Sequence, residues 1–295
     1  MILSAQTPRQ PGYRGRFAPS PSGPLHFGSL LAAVGSYLDA KAHRGQWLVR
    51  IEDIDPPREV AGASDQILRA LEAFGLHWDE SVRYQSHRLD DFQQIINELL
   101  STQAAYFCDC TRKRIKSVGG IYDGYCRNRH LPGEHCAVRY RYDNAITHFD
   151  DLRLGRQTSI AAQDFVIKRR DGLIAYQLAV VADDIDQGIN HIVRGVDLLE
   201  TTSSQLELYR QFDHSPPQYL HLPLAVDQHG HKLSKQNHAP AIDWQQPQQQ
   251  LWQALNYLAL APPMALQHES VTDQLDWAIE QWDRQQLPQD NQVLT

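Results

Sequence analysis

The chain has 295 residues, 42% of them hydrophobic and 21% charged, with a net charge of −7, which is the composition of an ordinary folded protein and excludes a disordered or fibrous one. That length exceeds the ~100–200 residues of one domain and points to a large unit carrying an insertion or a small appended domain. The negative balance excludes a molecule that traps nucleic acid over its whole surface, so any polyanion site is a local patch.

The opening MILSAQTPRQPGYRG has no apolar run of signal-peptide length. No later run approaches the ~18 apolar residues of a membrane span, so a cytoplasmic protein is expected. RGRFA reads as a short strand ended by APSPSG, because two prolines and a glycine cannot continue a ladder. Leu30, Leu31, Val34 and Leu38 then recur at helical spacing, which starts a helix near His26 to Ser29. WLVRI is the next strand, and Ile67, Leu68, Leu71 and Phe74 mark a second helix after a Ser64 cap. This alternation predicts an α/β protein with a parallel sheet covered by helices.

From Tyr106 to Gln163 the pattern breaks into cysteines, arginines and short alternating pieces such as AVRYRY, as expected of an insertion. FVIKRRDGLIAYQLAVV then reads as strand, Asp-Gly turn and strand, SSQLELYRQF as a helix, and YLHLPLAV as a strand entering the polar loop DQHGHKLSKQ. Two further helical patterns, LWQALNYLAL and LDWAIEQW, follow as a cap on the main unit.

Two loops carry the candidate chemistry. In an open α/β sheet, ligands sit at the carboxyl ends of strands, where the next helix offers free N–H groups that suit phosphate. Gly23 and Gly28 allow close backbone approach there, and His26 can donate to a phosphate whose charge rises in a transition state. A proline-rich loop with a capping histidine accounts for the same residues. The second loop holds KLSKQ, whose Lys232 and Lys235 can put two mobile charges on a triphosphate; a solvated basic loop is the plainer alternative.

Together these loops resemble the two signature motifs of class I aminoacyl-tRNA synthetases, PSPSGPLHFGS matching the one written HIGH and KLSKQ the one written KMSKS. RFAPSPSG, RIEDID and YQLAVVADDIDQGINHIVRGVDLLETTSSQ are similar to glutamyl-tRNA synthetase segments in the same order, roughly from Arg14 to Gln236. The resemblance implies a Rossmann-like catalytic domain in two halves, residues 1–105 and 164–236. Between them lies an inserted subdomain, 106–163, and a helical C-terminal region, 237–295, follows. It implies that His26, Gly28, Ser29, Lys232, Ser234 and Lys235 bind ATP, with His26, Lys232 and Lys235 as the catalytic set. It implies that Arg16, Ala18, Ser20, Glu52, Tyr176 and Arg194 bind glutamate, with Glu52 taking the ammonium and the arginines the carboxylates. An ion pair of Glu52 with Arg50 or Arg58 is the structural alternative. Magnesium is expected on the ATP oxygens, with few protein ligands.

The four cysteines, Cys108, Cys110, Cys126 and Cys136, fall within 29 residues. In a reducing compartment such clustering favours one structural zinc ion over disulfides. Softness argues for Cys136 as fourth ligand, and His130 and His135 are also near. Resemblance to a paralogue group of glutamyl-tRNA synthetases points instead to Tyr122, with Cys108, Cys110 and Cys126. The flanking RKRIK, RNR and RYR clusters suit RNA or a solvated face equally.

Only 59 residues follow Gln236, fewer than the ~100 typical of an anticodon-reading domain. In this the chain resembles the bacterial glutamyl-Q tRNA(Asp) synthetases. That resemblance implies activation of L-glutamate with ATP and transfer to the queuosine base in the anticodon of tRNA(Asp); a self-contained core with surface-charged helices needs no partner to close it, so a monomer is expected. The rivals are a minimal enzyme charging the tRNA 3′ end, a catalytically dead zinc-containing tRNA-binding protein, and a related nucleotidyltransferase, which gives no reason for RIEDID and HIVRG.

Overall fold

The computed structural model describes residues 12–143, 146–159, 163–226 and 241–294. The first strand, β1 (Arg14–Phe17), is buried throughout and leads through the APSPSG loop into helix α1 (Phe27–Ala42). Leu30, Leu31, Val34 and Leu38 of α1 are all buried against the sheet. β2 (Gln46–Ile51) pairs parallel with β1, aligning Arg16 with Leu48, and β3 (Arg83–Tyr84) pairs parallel with β2. Helix α2 (Ala63–Ala73) starts one residue before Ser64, so the expected serine cap lies inside its first turn; the cap is Gly62, at φ 75°. Glycine reaches that left-handed conformation without a Cβ clash.

Helix α3 (Leu89–Ser101) precedes the region expected as an insertion. There β4 (Ala105–Cys108), the short helix α4 (Arg112–Ser117) and β5 (Ala137–Tyr140) are followed by the antiparallel hairpin β6 (His148–Asp151) and β7 (Gly155–Thr158). β8 (Phe165–Lys168) closes an antiparallel sheet in the order β4-β5-β8.

The expected strand YQLAVV is a helix instead, α5 (Tyr176–Asp186), and only a single bridge, Lys168 to Ile174, remains of the expected hairpin. Every residue from Leu178 to Ile185 is buried. A helix buried all round and a buried strand give the same continuous apolar run.

Next come β9 (His191–Gly195), α6 (Thr202–Gln211) and β10 (Gln218–Leu222). β11 (Leu224–Val226) is separate from β10 because Pro223 interrupts the expected continuous strand. α7 (Pro247–Tyr257), α8 (Val271–Gln281) and β12 (Gln292–Leu294) follow.

Two ladders, β1-β2-β3 and β7-β6-β10-β9, meet where β9 runs beside β1, and there Asn190 N–H donates to Arg14 C=O at 3.0 Å. Chain order reverses at this junction, the place where open α/β sheets bind ligands. The two faces of the sheet differ in chemistry. On one, Phe17, Trp47, Val49, Ile51, Val193, Leu220 and Leu222 join α1, α2, α7 and α8 in a single apolar core. α1 approaches so closely that a Cβ on Gly35 would lie 2.6 Å from Leu222 Cδ1.

The alternate residues Arg14, Arg16, Arg50, Arg194, Tyr219 and His221 point to the other face, under α5 and α6, and all are buried. No helix among the described residues is long and apolar enough to cross a membrane.

Candidate active site

A cleft of about 470 Å³ opens at the carboxyl ends of β1, β9 and β10, lined by Ser20, His26, Gly28, Ser29, Gly195 and Asp197 among others. His26 is the N-cap of α1. Its Nδ1 accepts from Ser29 N–H at 3.3 Å, and its Nε2 lies 3.0 Å from Ser29 Oγ. The two sequence readings of this histidine therefore describe one residue, a helix cap that also borders the cleft. Ala18 lies between the lining residues Phe17 and Pro19 and is not itself part of the lining.

Lys232, Ser234 and Lys235 lie outside the described residues. The chain on either side of them is fixed at this cleft. Leu224 and Ala225 of β11 line it, while Ala241 bridges to His26 and Ile242 N–H donates to Leu25 C=O at 3.0 Å.

Arg16, Glu52, Tyr176 and Arg194 are brought together in the polar layer beneath α5 and α6. Arg16 uses Nε and Nη2 on Asp184, at 3.0 and 3.3 Å, and its Nη1 has no hydrogen-bond partner among the described residues. Arg50 is turned to Asp184 and Gln187, both at 2.8 Å. Its nearest approach to Glu52 is only 3.7 Å, and Arg58 pairs with Asp55 instead.

Glu52, anchored by its N–H on Pro19 C=O at 3.0 Å, is therefore left with a buried Oε1 that has no hydrogen-bond partner. Burial pushes its carboxyl up to about 7, against the pull of Arg50 and Arg16. Burial also raises the Tyr176 hydroxyl; Arg194 lowers it, Glu52 raises it and Arg16 lowers it, so all four groups share one electrostatic neighbourhood. An anion without a partner beside buried guanidinium groups is suited to a zwitterion that brings its own ammonium and carboxylates.

Sequence reasoning missed the second half of this layer. Asp184 compensates two arginines, His221 and Asp151 stand behind Arg194, and the Tyr209 and Tyr219 hydroxyls are buried without partners. The available signal is arginine or histidine at every second position of RGRF, VRI, IVRG and LHL. Strands covered on both faces are normally near-continuously apolar.

The cysteines separate into three and one. The Sγ atoms of Cys108, Cys110 and Cys126 lie within 4.8 Å of one another, and Cys110 and Cys126 are 3.5 Å apart. Tetrahedral zinc with ~2.3 Å Zn–S bonds needs sulfurs about 3.8 Å apart, so the three fit such an ion. Tyr122 Oη sits 3.6 Å from Cys108 Sγ and accepts from Cys126 N–H at 2.9 Å. Arg139 Nε, 3.3 Å from Cys108 Sγ, offsets thiolate charge. Among the described residues no histidine and no fourth cysteine joins the trio; Cys136 N–H is held by Gly133 C=O in a turn. Burial, with Cys126 adding to it, pushes the Cys110 thiol up to about 12, so metal loading must displace a proton.

Comparison with known proteins is consistent along the chain. The family model described as tRNA synthetases class I (E and Q), catalytic domain, matches residues 13–274. The glutamyl-Q tRNA(Asp) synthetase of Photobacterium profundum is 54% identical over 285 residues, covering 96% of this chain and 92% of that protein. Its counterpart in Vibrio cholerae is 53% identical over 294 residues, covering 98% and 96%. Among solved structures, the glutamate-tRNA synthetase from Elizabethkingia anophelis shares the fold with a TM-score of 0.79 at 23% identity, over 96% of this chain and 68% of that one. The α/β architecture, the cleft at the reversal of strand order and these matches agree: the chain belongs to the class I (E and Q) tRNA synthetase catalytic-domain family, in the branch of the glutamyl-Q tRNA(Asp) synthetases.

Proposed function

We propose that the chain activates L-glutamate with ATP and transfers the glutamyl group to the queuosine base in the anticodon of tRNA(Asp). The observation that carries the amino-acid part is the buried, unpartnered Glu52 Oε1 among Arg16, Tyr176 and Arg194. The acceptor follows from relatives named for it that align over nearly the whole chain.

In the first step a glutamate carboxylate oxygen attacks the α-phosphorus of ATP, the bond to the β-phosphate breaks, and pyrophosphate leaves. In the second a nucleophilic group of the base attacks the glutamyl carbonyl and AMP leaves. No protein nucleophile is required; the residues orient the reactants and stabilise charge. Glu52 takes the ammonium and the two arginines take carboxylate oxygens, with Ser20 contributing from the cleft wall and Ala18 from the chain just before it. His26, Gly28 and Ser29 hold ATP at the α1 N-terminus, whose free N–H groups favour phosphate. Lys232, Ser234 and Lys235 complete that set, and a magnesium ion bound with ATP would neutralise charge on the triphosphate.

Cys108, Cys110, Cys126 and Tyr122 would hold a zinc ion, which would stiffen an RNA-facing subdomain within 106–163; the catalytic halves are 1–105 and 164–236, with 237–295 as the C-terminal region. We place this enzyme in the cytoplasm, as a monomer.

Label placement tests the whole reading. With ATP, labelled glutamate and bulk tRNA, the label is expected in the anticodon fragment of one tRNA and absent when queuosine is lacking. Label on the 3′-terminal adenosine would establish a minimal charging enzyme instead.

His26→Asn tests the ATP half. Asparagine caps a helix well, so the melting temperature should hold. The kcat of glutamate-dependent pyrophosphate exchange should fall about a hundredfold, as when one donor to developing charge is lost. An unchanged kcat would reduce His26 to a cap.

A further inference from the structure

We propose that Asp151 and His221 are positioning residues that hold the Arg194 guanidinium in the orientation in which it meets the substrate carboxylate. This rests on the reading above that Arg194 binds glutamate.

β9 and β10 pair in a register that sets Arg194 directly opposite His221. Arg194 Nε–H donates to His221 Nε2 at 3.0 Å, and His221 Nδ1 lies 2.6 Å from Asp151 Oδ2. Asp151 comes from β6, far along the chain, and pairs with β10 beside Tyr219. Its carboxylate is itself fixed, Oδ2 also accepting from His221 N–H at 3.1 Å and Oδ1 accepting from the N–H groups of Arg153 and Leu154 at 3.0 and 2.9 Å.

An acceptor-only carboxylate forces the proton onto Nδ1 of the imidazole. Nε2 then presents a lone pair, the only form able to accept from Arg194. Neither ring nor carboxylate side chain has exposed surface, so no water substitutes for either partner.

Arg194 is held on its other edges as well. Nη1 donates to Gln205 Oε1 at 2.7 Å, and Nη2 donates to Thr202 Oγ1 at 2.8 Å and to Leu198 C=O at 3.2 Å. Four of its five N–H groups are thus committed to protein, which leaves one, on Nη1, for a ligand. A single remaining donor recognises a carboxylate only if its direction is fixed, and the Asp151–His221 pair fixes it at Nε. A guanidinium freed at that edge turns within the layer, and the hydrogen bond to substrate lengthens.

Steady-state pyrophosphate exchange on the full chain, with glutamate and ATP varied separately, tests this. Asp151→Asn keeps the shape but offers the ring a donor, which reverses the tautomer. It should raise the KM for glutamate about tenfold and move the KM for ATP less than about twofold. His221→Gln, whose amide oxygen reaches the place of Nε2, should retain more activity than His221→Asn, whose amide stops short of it.

In an Arg194→Ala background, His221→Asn should add less than about twofold, because residues acting as one unit are not additive. Equal effects in both backgrounds, or equal movement of the ATP KM, would make the pair core packing and overturn the proposal. Arg194→Ala leaving the glutamate KM unaltered would remove the substrate role of Arg194 itself, a separate failure. Thermal melts of each variant identify any that does not fold, and His221→Gln carries the test if Asp151→Asn is among them.

Discussion

Glu52→Gln loses at least about a hundredfold in kcat/KM for glutamate, the range for removing one member of a buried charge pair, and yet stabilises the free protein. Both signs come from one fact: the buried carboxylate oxygen Oε1 has no hydrogen-bond partner until an ammonium arrives. Its pKa is raised from 4.5 to about 7 by burial. The folded state therefore holds a proton that the unfolded chain releases, and the stability linked to this group is complete below pH 4.5 and is lost as the pH rises through about 7. Glutamine does not titrate, so the variant's advantage opens across that window and levels at about 3 kcal/mol above it. Denaturant melts at the two ends of the window measure it. A variant that is less stable at the alkaline end would mean that Glu52 serves as the ion-pair partner of Arg50, as its 3.7 Å approach alone would suggest.

The same group predicts the pH profile of the enzyme. Ammonium binding requires ionised Glu52, so kcat/KM for glutamate should rise with pH toward a plateau, with a midpoint near the raised value of about 7. A flat profile between pH 5.5 and 8.5 would separate Glu52 from substrate binding.

Removing the metal should have the second large effect. The apolar cluster of the cysteine module consists of Tyr106, Cys108, Tyr122 and Cys126, with Cys110, Ile115 and Leu131 packed against it. So small a core does not hold itself together, whereas structural zinc supplies on the order of 10 kcal/mol. Metal analysis should find one zinc per chain and almost none in Cys126→Ser. Trypsin should then cut at the exposed basic helix Arg112–Ser117 several-fold faster than in the zinc-loaded protein, because the helix loses the fold that holds it. Pyrophosphate exchange should fall less than about threefold, because none of the glutamate or ATP ligands proposed above comes from the module, while transfer to tRNA should fall much further. Metal-free protein with unchanged trypsin resistance would show that the thiols pack without an ion.

What the sequence made legible follows from how local each signal is. Strand β1, helix α1 and strand β2 are written in short-range pattern and punctuation, and the cysteine trio is written in ligand chemistry. Helix α5 reads as a strand in the sequence because burial on all sides erases the periodicity that separates helix from strand. Tyr122 had no signal of its own and came from resemblance alone. Asp184 meets Arg16, and Asp151 meets His221, across separations of 168 and 70 residues, which no window along the chain samples.

The termini of the described chain have a consequence for the order of assembly. β12 pairs with β11, aligning Leu224 with Gln292, and Arg153 reaches the carbonyls of Pro288, Gln289 and Asp290 at 2.7 to 3.3 Å. The strand that delivers the chain to Lys232 is thus completed by residues synthesised some 70 positions later. During translation this end of the cleft remains unfinished until those residues clear the ribosome, so a nascent chain can fold most of its sheet well before the cleft is complete.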